Sequence, residues 1–141
     1  MQRPITSPIK SLSAICAIAG AAHPFSEKEV AAISVSGISQ SSDDVVSGDL
    51  FIALPGEKFH GAQFAFDAIK KGAVAVLSDA VGAAMITGVP VLISNNPRRA
   101  AGVISAWFYA EPMRDLYSIG ITGTNGKTTV TTLLHQIMEA A

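Results

Sequence analysis

Between residues 50 and 110 short apolar runs alternate with segments of helix length, and this alternation narrows the fold more than any other feature of the chain. Residues 50–54 form an unbroken apolar run that stops at Pro55-Gly56. Residues 73–77 and 90–94 repeat the pattern. Between them, 62–71 fits a helix that Gly72 terminates, and 79–86 fits a weaker one. Asn96 can cap a third helix and Pro97 suits its first turn. That helix carries Ala100, Ile104, Trp107 and Phe108 on one side and ends before Pro112. Strands and helices alternating at these lengths predict an α/β fold with a largely parallel sheet.

The residues upstream fit the same class. Leu12, Ile15, Cys16 and Ala19 recur at helical spacing within an apolar stretch over 12–22. That stretch is too short to span a bilayer, which takes about 20 residues. With Arg3 and Lys10 before it and small residues after it, it mimics a secretory signal, but its periodicity reads as a buried amphipathic face. Residues 26–29 fit a short helical turn and 33–36 a half-buried strand; 39–44 is a polar loop, and Ser47-Gly48-Asp49 is a tight turn. Cys16 is the lone cysteine, so no intrachain disulfide and no multi-cysteine metal site can form. It reads as a small core residue, and Trp107 as core packing. Ten basic against 11 acidic side chains leave no excess charge to neutralise a nucleic-acid backbone.

Residues 111–115 are polar and contain a helix breaker, which marks a linker. Domains are therefore expected over 1–112 and 113–141. In the second, 117–122 reads as a strand and 127–140 as a helix, with Val130, Leu133, Leu134, Ile137 and Met138 on one face. One strand and one helix cannot bury that face alone. The segment reads as the opening of a larger domain and is expected to be loosely ordered or held by self-association.

Between that strand and helix stands Gly123-Thr124-Asn125-Gly126-Lys127-Thr128-Thr129. Backbone N–H groups of a glycine-rich turn can wrap a phosphate, and the helix dipole adds favourable potential. Lys127 would set a positive charge by the terminal phosphates, and Thr128 would offer its hydroxyl to Mg²⁺. The common G-x-x-x-x-G-K-[ST] spacing is not met, because Ile121 stands five positions before Gly126. The loop is a variant with glycines at 123 and 126.

Residues 122–129 resemble the ATP loop of the Mur ligases, which build the peptidoglycan peptide stem. Folylpolyglutamate synthetases share a related loop that commonly continues Gly-Lys-Gly, so Thr128 favours the Mur side. Upstream, Ser-Gly-Asp-Leu-Phe-Ile-Ala-Leu-Pro-Gly at 47–56, His60-Gly61, and Ala-Ile-Lys-Lys-Gly-Ala at 68–73 look like the N-terminal domain of two branches. One branch adds the third amino acid of the stem (MurE type); the other adds D-Ala-D-Ala (MurF type). The latter's loop more often reads Thr-Gly-Ser-x-Gly-Lys-Thr, so Thr124-Asn125 favours the MurE type. The resemblance covers about residues 35–141. The family usually writes Asp-Ser-Arg before the Gly-Asp-Leu-Phe strand. This chain has Ser41-Ser42-Asp43, keeping the serine and losing the acid and the arginine.

The resemblance implies a small N-terminal substrate domain followed by the first strand, phosphate loop and helix of an incomplete ATPase domain. It implies a cytoplasmic, ATP- and Mg²⁺-dependent ligase, with no membrane or nucleic-acid partner. ATP would phosphorylate the D-glutamate side carboxylate of UDP-N-acetylmuramoyl-L-alanyl-D-glutamate. The amine of diaminopimelate or L-lysine would then attack the acyl phosphate. Lys127 and Thr128 are the expected catalytic residues. Residues 123–129 would bind ATP, with the metal at Thr128. Ser42, Glu57, Lys58 and Phe59 would meet the UDP end. The adenine pocket, further metal elements and the C-terminal domain would lie in missing central and C-terminal domains, so the 141-residue chain alone is expected to be inactive. A non-catalytic UDP-sugar-binding module and a MurF-type ligase are the alternatives. His60 is assigned a turn role, His23 and His135 an exposed one, and Arg98 and Arg99 a surface one.

Overall fold

The computed structural model describes residues 8–140. Arg3, counted above with the signal-like residues, lies outside them. The chain divides into two compact units, one ending at Glu111 and the other beginning at Pro112.

The first unit opens with β1 (Lys10–Ser11), α1 (Leu12–Ala19), α2 (Glu27–Ala32), β2 (Ser34–Val35) and β3 (Gly37–Ser39). It continues with β4 (Asp49–Ile52), α3 (Ala65–Lys70), β5 (Ala75–Ser78), α4 (Ala80–Ala83), β6 (Val91–Ile93) and α5 (Pro97–Phe108). Strands β3, β4, β5 and β6 form one sheet in that order, parallel throughout. The short strands β1 and β2 pair antiparallel beside it. Of the expected strand over 33–36 only Ser34–Val35 forms, as β2; past Ser36 the chain enters the parallel sheet as β3, which the sequence reading had not placed.

The unbroken apolar runs have a direct cause. Successive strand side chains point to opposite faces, and here both faces are covered. Leu50, Ile52, Leu77 and Leu92 pack with Leu12, Ile15, Val30, Ile104 and Phe108 in one core cluster. Phe51, Val76 and Val91 pack with Ala62, Ala65, Ala68 and Ile86 in a second. Cys16 is buried in the first cluster, where desolvation pushes its thiol up to about 11, as expected of an inert core cysteine. Trp107 is only half-buried against that cluster, with the Lys10 ammonium 4.9 Å from its ring centroid.

Local signals place the helices. Ser26 and Glu29 form a reciprocal capping box on α2. Asn96 accepts from the Arg99 N–H at 3.0 Å to cap α5. The expected helix over 62–71 begins instead as a 3₁₀ turn, Gly61–Phe64, before α3. His23 corrects an expectation of exposure. Its side chain is 11% exposed, and Nδ1 donates to the Phe25 carbonyl at 3.0 Å.

The second unit holds a 3₁₀ turn at Pro112–Arg114 and α6 (Lys127–Ala140). The expected strand over 117–122 is not formed. A strand is defined by its ladder, and this unit offers no other strand to pair with. No described residue of α6 is buried, and Leu133 and Ile137 are more than half exposed. No described helix is long and apolar enough to cross a membrane.

Candidate functional site

A cleft of about 470 Å³ opens where β3 and β4 end. Parallel sheets commonly bind ligands at the carboxyl ends of their strands, and the volume suits a small molecule. One wall is polar, made by residues 40–43. The other is apolar, with Phe51, Leu54, Phe59 and Phe64.

The polar wall is shaped by its own side chains. The Ser39 hydroxyl donates to the Ser41 carbonyl at 2.8 Å, and the Ser41 hydroxyl accepts from the Asp43 N–H at 3.2 Å. Lys71, just past α3, reaches across to tie the wall down. Its ammonium donates to the Ser42 carbonyl at 2.9 Å and to Asp43 Oδ1 at 3.1 Å. Asp43 thus takes part in an ion pair while its side chain stays 93% exposed.

The apolar wall depends on the loop over 55–61. The Gly61 N–H donates to the Leu54 carbonyl at 2.8 Å, and the Gly56 N–H to the Phe59 carbonyl at 3.1 Å. Arg98 stays exposed, as expected, and from the surface donates to the Pro55 carbonyl at 3.1 Å. Of the four residues expected at the UDP end, Ser42 and Phe59 share this cleft. Glu57 and Lys58 are exposed on the loop and do not line it, because the turn that presents Phe59 carries them outward.

His60 closes that loop. Its Nδ1 accepts from the Ala62 N–H at 3.0 Å, which caps the 3₁₀ turn as its turn role requires. Its Nε2 lies 3.1 Å from Asp79 Oδ1, a partner that the sequence reading missed. Asp79 also accepts from the Gly82 N–H at 2.7 Å, capping α4. That bond is the main reason its carboxyl sits below the usual carboxylate range; burial opposes it and His60 adds to it. A carboxyl lowered in the folded state stabilises fully above its unfolded value, about 3.9, and the benefit is lost as pH falls through the folded value. Glu29, bonded by Ser26, shifts the same way. Asp79→Asn is expected to flatten part of the acid limb of stability against pH and to leave Glu29's share. Superimposable denaturation curves for variant and parent between pH 5 and pH 2 (about the window these carboxyls span) would refute that role.

In the second unit the phosphate-loop residues stand together ahead of α6. Gly126 takes φ +78°, a left-handed conformation that side chains disfavour. The Lys127 ammonium donates to the Gly123 carbonyl at 2.6 Å, holding its charge against the turn. Thr131 and Thr132 turn their hydroxyls back onto the carbonyls of Lys127 and Thr128. Thr124, Asn125 and Thr129 are exposed on the turn and the first helical residues. His135 is exposed, 3.4 Å from Glu139. Among the described residues no cluster of three or more His, Cys, Asp or Glu side chains could hold a metal ion.

Comparison with known proteins gives this geometry a family. A profile described as Mur ligase family, catalytic domain, matches residues 34–113, over the cleft-bearing unit. The UDP-N-acetylmuramoyl-L-alanyl-D-glutamate–2,6-diaminopimelate ligase of Streptomyces avermitilis is 49% identical over 117 residues, covering 82% of this chain and 22% of that protein. Its namesake in Streptomyces coelicolor is 41% identical over 141 residues, covering 99% of this chain and 27% of that protein. The chain thus spans about a quarter of the length of these relatives. Among solved structures, the UDP-N-acetylmuramoylalanyl-D-glutamyl-2,6-diaminopimelate–D-alanyl-D-alanyl ligase of Acinetobacter baumannii superposes with a TM-score of 0.72 at 22% identity. It covers 98% of this chain and 30% of that one, a likeness of fold. With more than half of its residues matched by the family profile, the chain belongs to the Mur ligase family.

Proposed function

We propose that this chain is part of a cytoplasmic, ATP-dependent ligase that adds diaminopimelate to UDP-N-acetylmuramoyl-L-alanyl-D-glutamate. One observation carries the reading. The Streptomyces coelicolor ligase aligns across 99% of the chain, so cleft and phosphate loop fall within one alignment to one named activity. The first unit is the substrate domain, and the second contributes the loop of the ATP-binding domain.

In the cleft, the phenyl ring of Phe59 offers an apolar face for a base, and the Ser42 hydroxyl can both donate and accept. At the loop, the residues fit ATP. Gly126 supplies the turn, Lys127 a cation held beside it, and Thr128 a hydroxyl for Mg²⁺. ATP supplies the phosphoryl group that activates the D-glutamate side carboxylate for attack by the amine. Positioning and charge neutralisation are what the protein adds to such a transfer.

Calorimetric titration of the chain with UDP-N-acetylmuramoyl-L-alanyl-D-glutamate tests the cleft, with UDP and ATP as comparisons. Saturable binding of both uridine compounds is expected, weakened about 3- to 10-fold by Ser42→Ala, the worth of one hydrogen bond. Absence of binding, or equal binding by the Ser42→Ala variant, would overturn the assignment of this cleft.

A further inference from the structure

We propose that His60 is a positioning residue for the uridine end of the substrate, acting through Phe59. The hydrogen bonds fix its state. The Ala62 backbone N–H can only donate, so Nδ1 is a lone-pair acceptor. Nε2 then carries the proton and donates to the Asp79 carboxylate. Both ring nitrogens are committed, and each holds a different element. Nδ1 fixes the start of the 3₁₀ turn, and Nε2 fixes the loop end to the first turn of α4.

The surroundings have been built to admit the ring. The His60 side chain is 16% exposed and that of Asp79 is 25%. A Cβ on Gly82 would come within 2.5 Å of His60 Cε1 and would collide with the Ser78 hydroxyl. Glycine at 82 therefore lets the imidazole lie against α4. Ser78 itself is buried and bonded to the Ala53 carbonyl at 2.9 Å. The base of the loop is thus anchored to β4, β5 and α4. Its tip is closed by the bond from the Gly56 N–H to the Phe59 carbonyl, and Phe59 itself is 63% exposed. An aromatic ring at the tip keeps its place on the cleft wall only if the base cannot rock, and His60 is the side chain that spans from this loop to the next. This inference rests on the reading of the cleft as the substrate site.

His60→Asn tests it. The amide oxygen can replace Nδ1 as the cap acceptor, but the side chain is too short to reach Asp79. The expected result is a loss of about five-fold or more in affinity for UDP-N-acetylmuramoyl-L-alanyl-D-glutamate. In a Phe59→Ala background the same change is expected to cost less than about two-fold, because the residue acted on is gone. A merely structural role would give equal losses in both backgrounds, and that outcome overturns the proposal, as does parental affinity in His60→Asn. A ligand-free measurement runs alongside. Amide exchange at Gly56 and Gly61 is expected to quicken in His60→Asn, while α5 amides keep their protection. Unchanged exchange at both glycines overturns the latch even if the parent binds no uridine compound, an outcome that would separately refute the substrate reading.

Discussion

Replacing Lys127 by alanine in the full-length protein is expected to lower turnover by at least about 100-fold with no loss of folding stability. Each half of this expectation has its own cause. Lys127 is exposed at the first position of α6, and its ammonium bonds the Gly123 carbonyl four residues back. Exposed side chains of that kind change stability by about 0.5 kcal/mol or less. Charge stabilisation of a transferring phosphoryl group is a different matter. Losing even one preorganised donor from such a site costs about 10²- to 10³-fold. Steady-state turnover measured beside thermal melting separates the two. An active Lys127→Ala variant would sink the ATP-loop assignment, and a variant that melts early would show that the lysine is a structural residue.

Phe108→Ala is expected to have the largest effect on the first unit. Phe108 is 1% exposed, lies at the end of α5 and packs its ring edge-on to Tyr109 with centroids 5.1 Å apart. Truncating a buried phenylalanine costs about 3–5 kcal/mol, through lost transfer energy and the cavity left behind. A small domain holds only about 5–15 kcal/mol in all. Urea unfolding of the variant should therefore show a midpoint shifted far down or no folded baseline. A shift worth less than about 1 kcal/mol would mean that the core collapses around the gap.

What the sequence could reveal depended on the range of each interaction. Asn96 and Pro97 announced α5 because a cap acts over three residues. The apolar runs announced β4, β5 and β6 because a strand covered on both faces needs apolar side chains at successive positions. Non-local pairing was harder to see. The run over 117–122 has the composition of a strand, yet a ladder needs a neighbour that composition does not supply. The same limit applies at the cleft. Ser42 and Phe59 could be named from the resemblance, but that Lys71 braces the Ser42 wall follows only once α3 is folded back beside it. The His60–Asp79 bond joins residues 19 apart through two loops. In the sequence Asp79 merely opens the weak helix read over 79–86, and nothing there points to His60.

The bridge between Ala22 and Ile93 has a consequence for aggregation. The Ala22 N–H donates to the Ile93 carbonyl at 2.9 Å, and the Ile93 N–H to the Ala22 carbonyl at 2.7 Å. On its other side β6 pairs with β5, so these two bonds occupy polar groups that an edge strand would otherwise present to a passing chain. The segment after α1 therefore works as an edge guard. The match to the family profile begins at residue 34. Trimmed to that stretch, the unit would lose Leu12, Ile15 and Val30 from its core and leave Ile93 open to intermolecular strand addition. Residues ahead of the profile match thus shield a sheet edge that the profile match alone would leave bare.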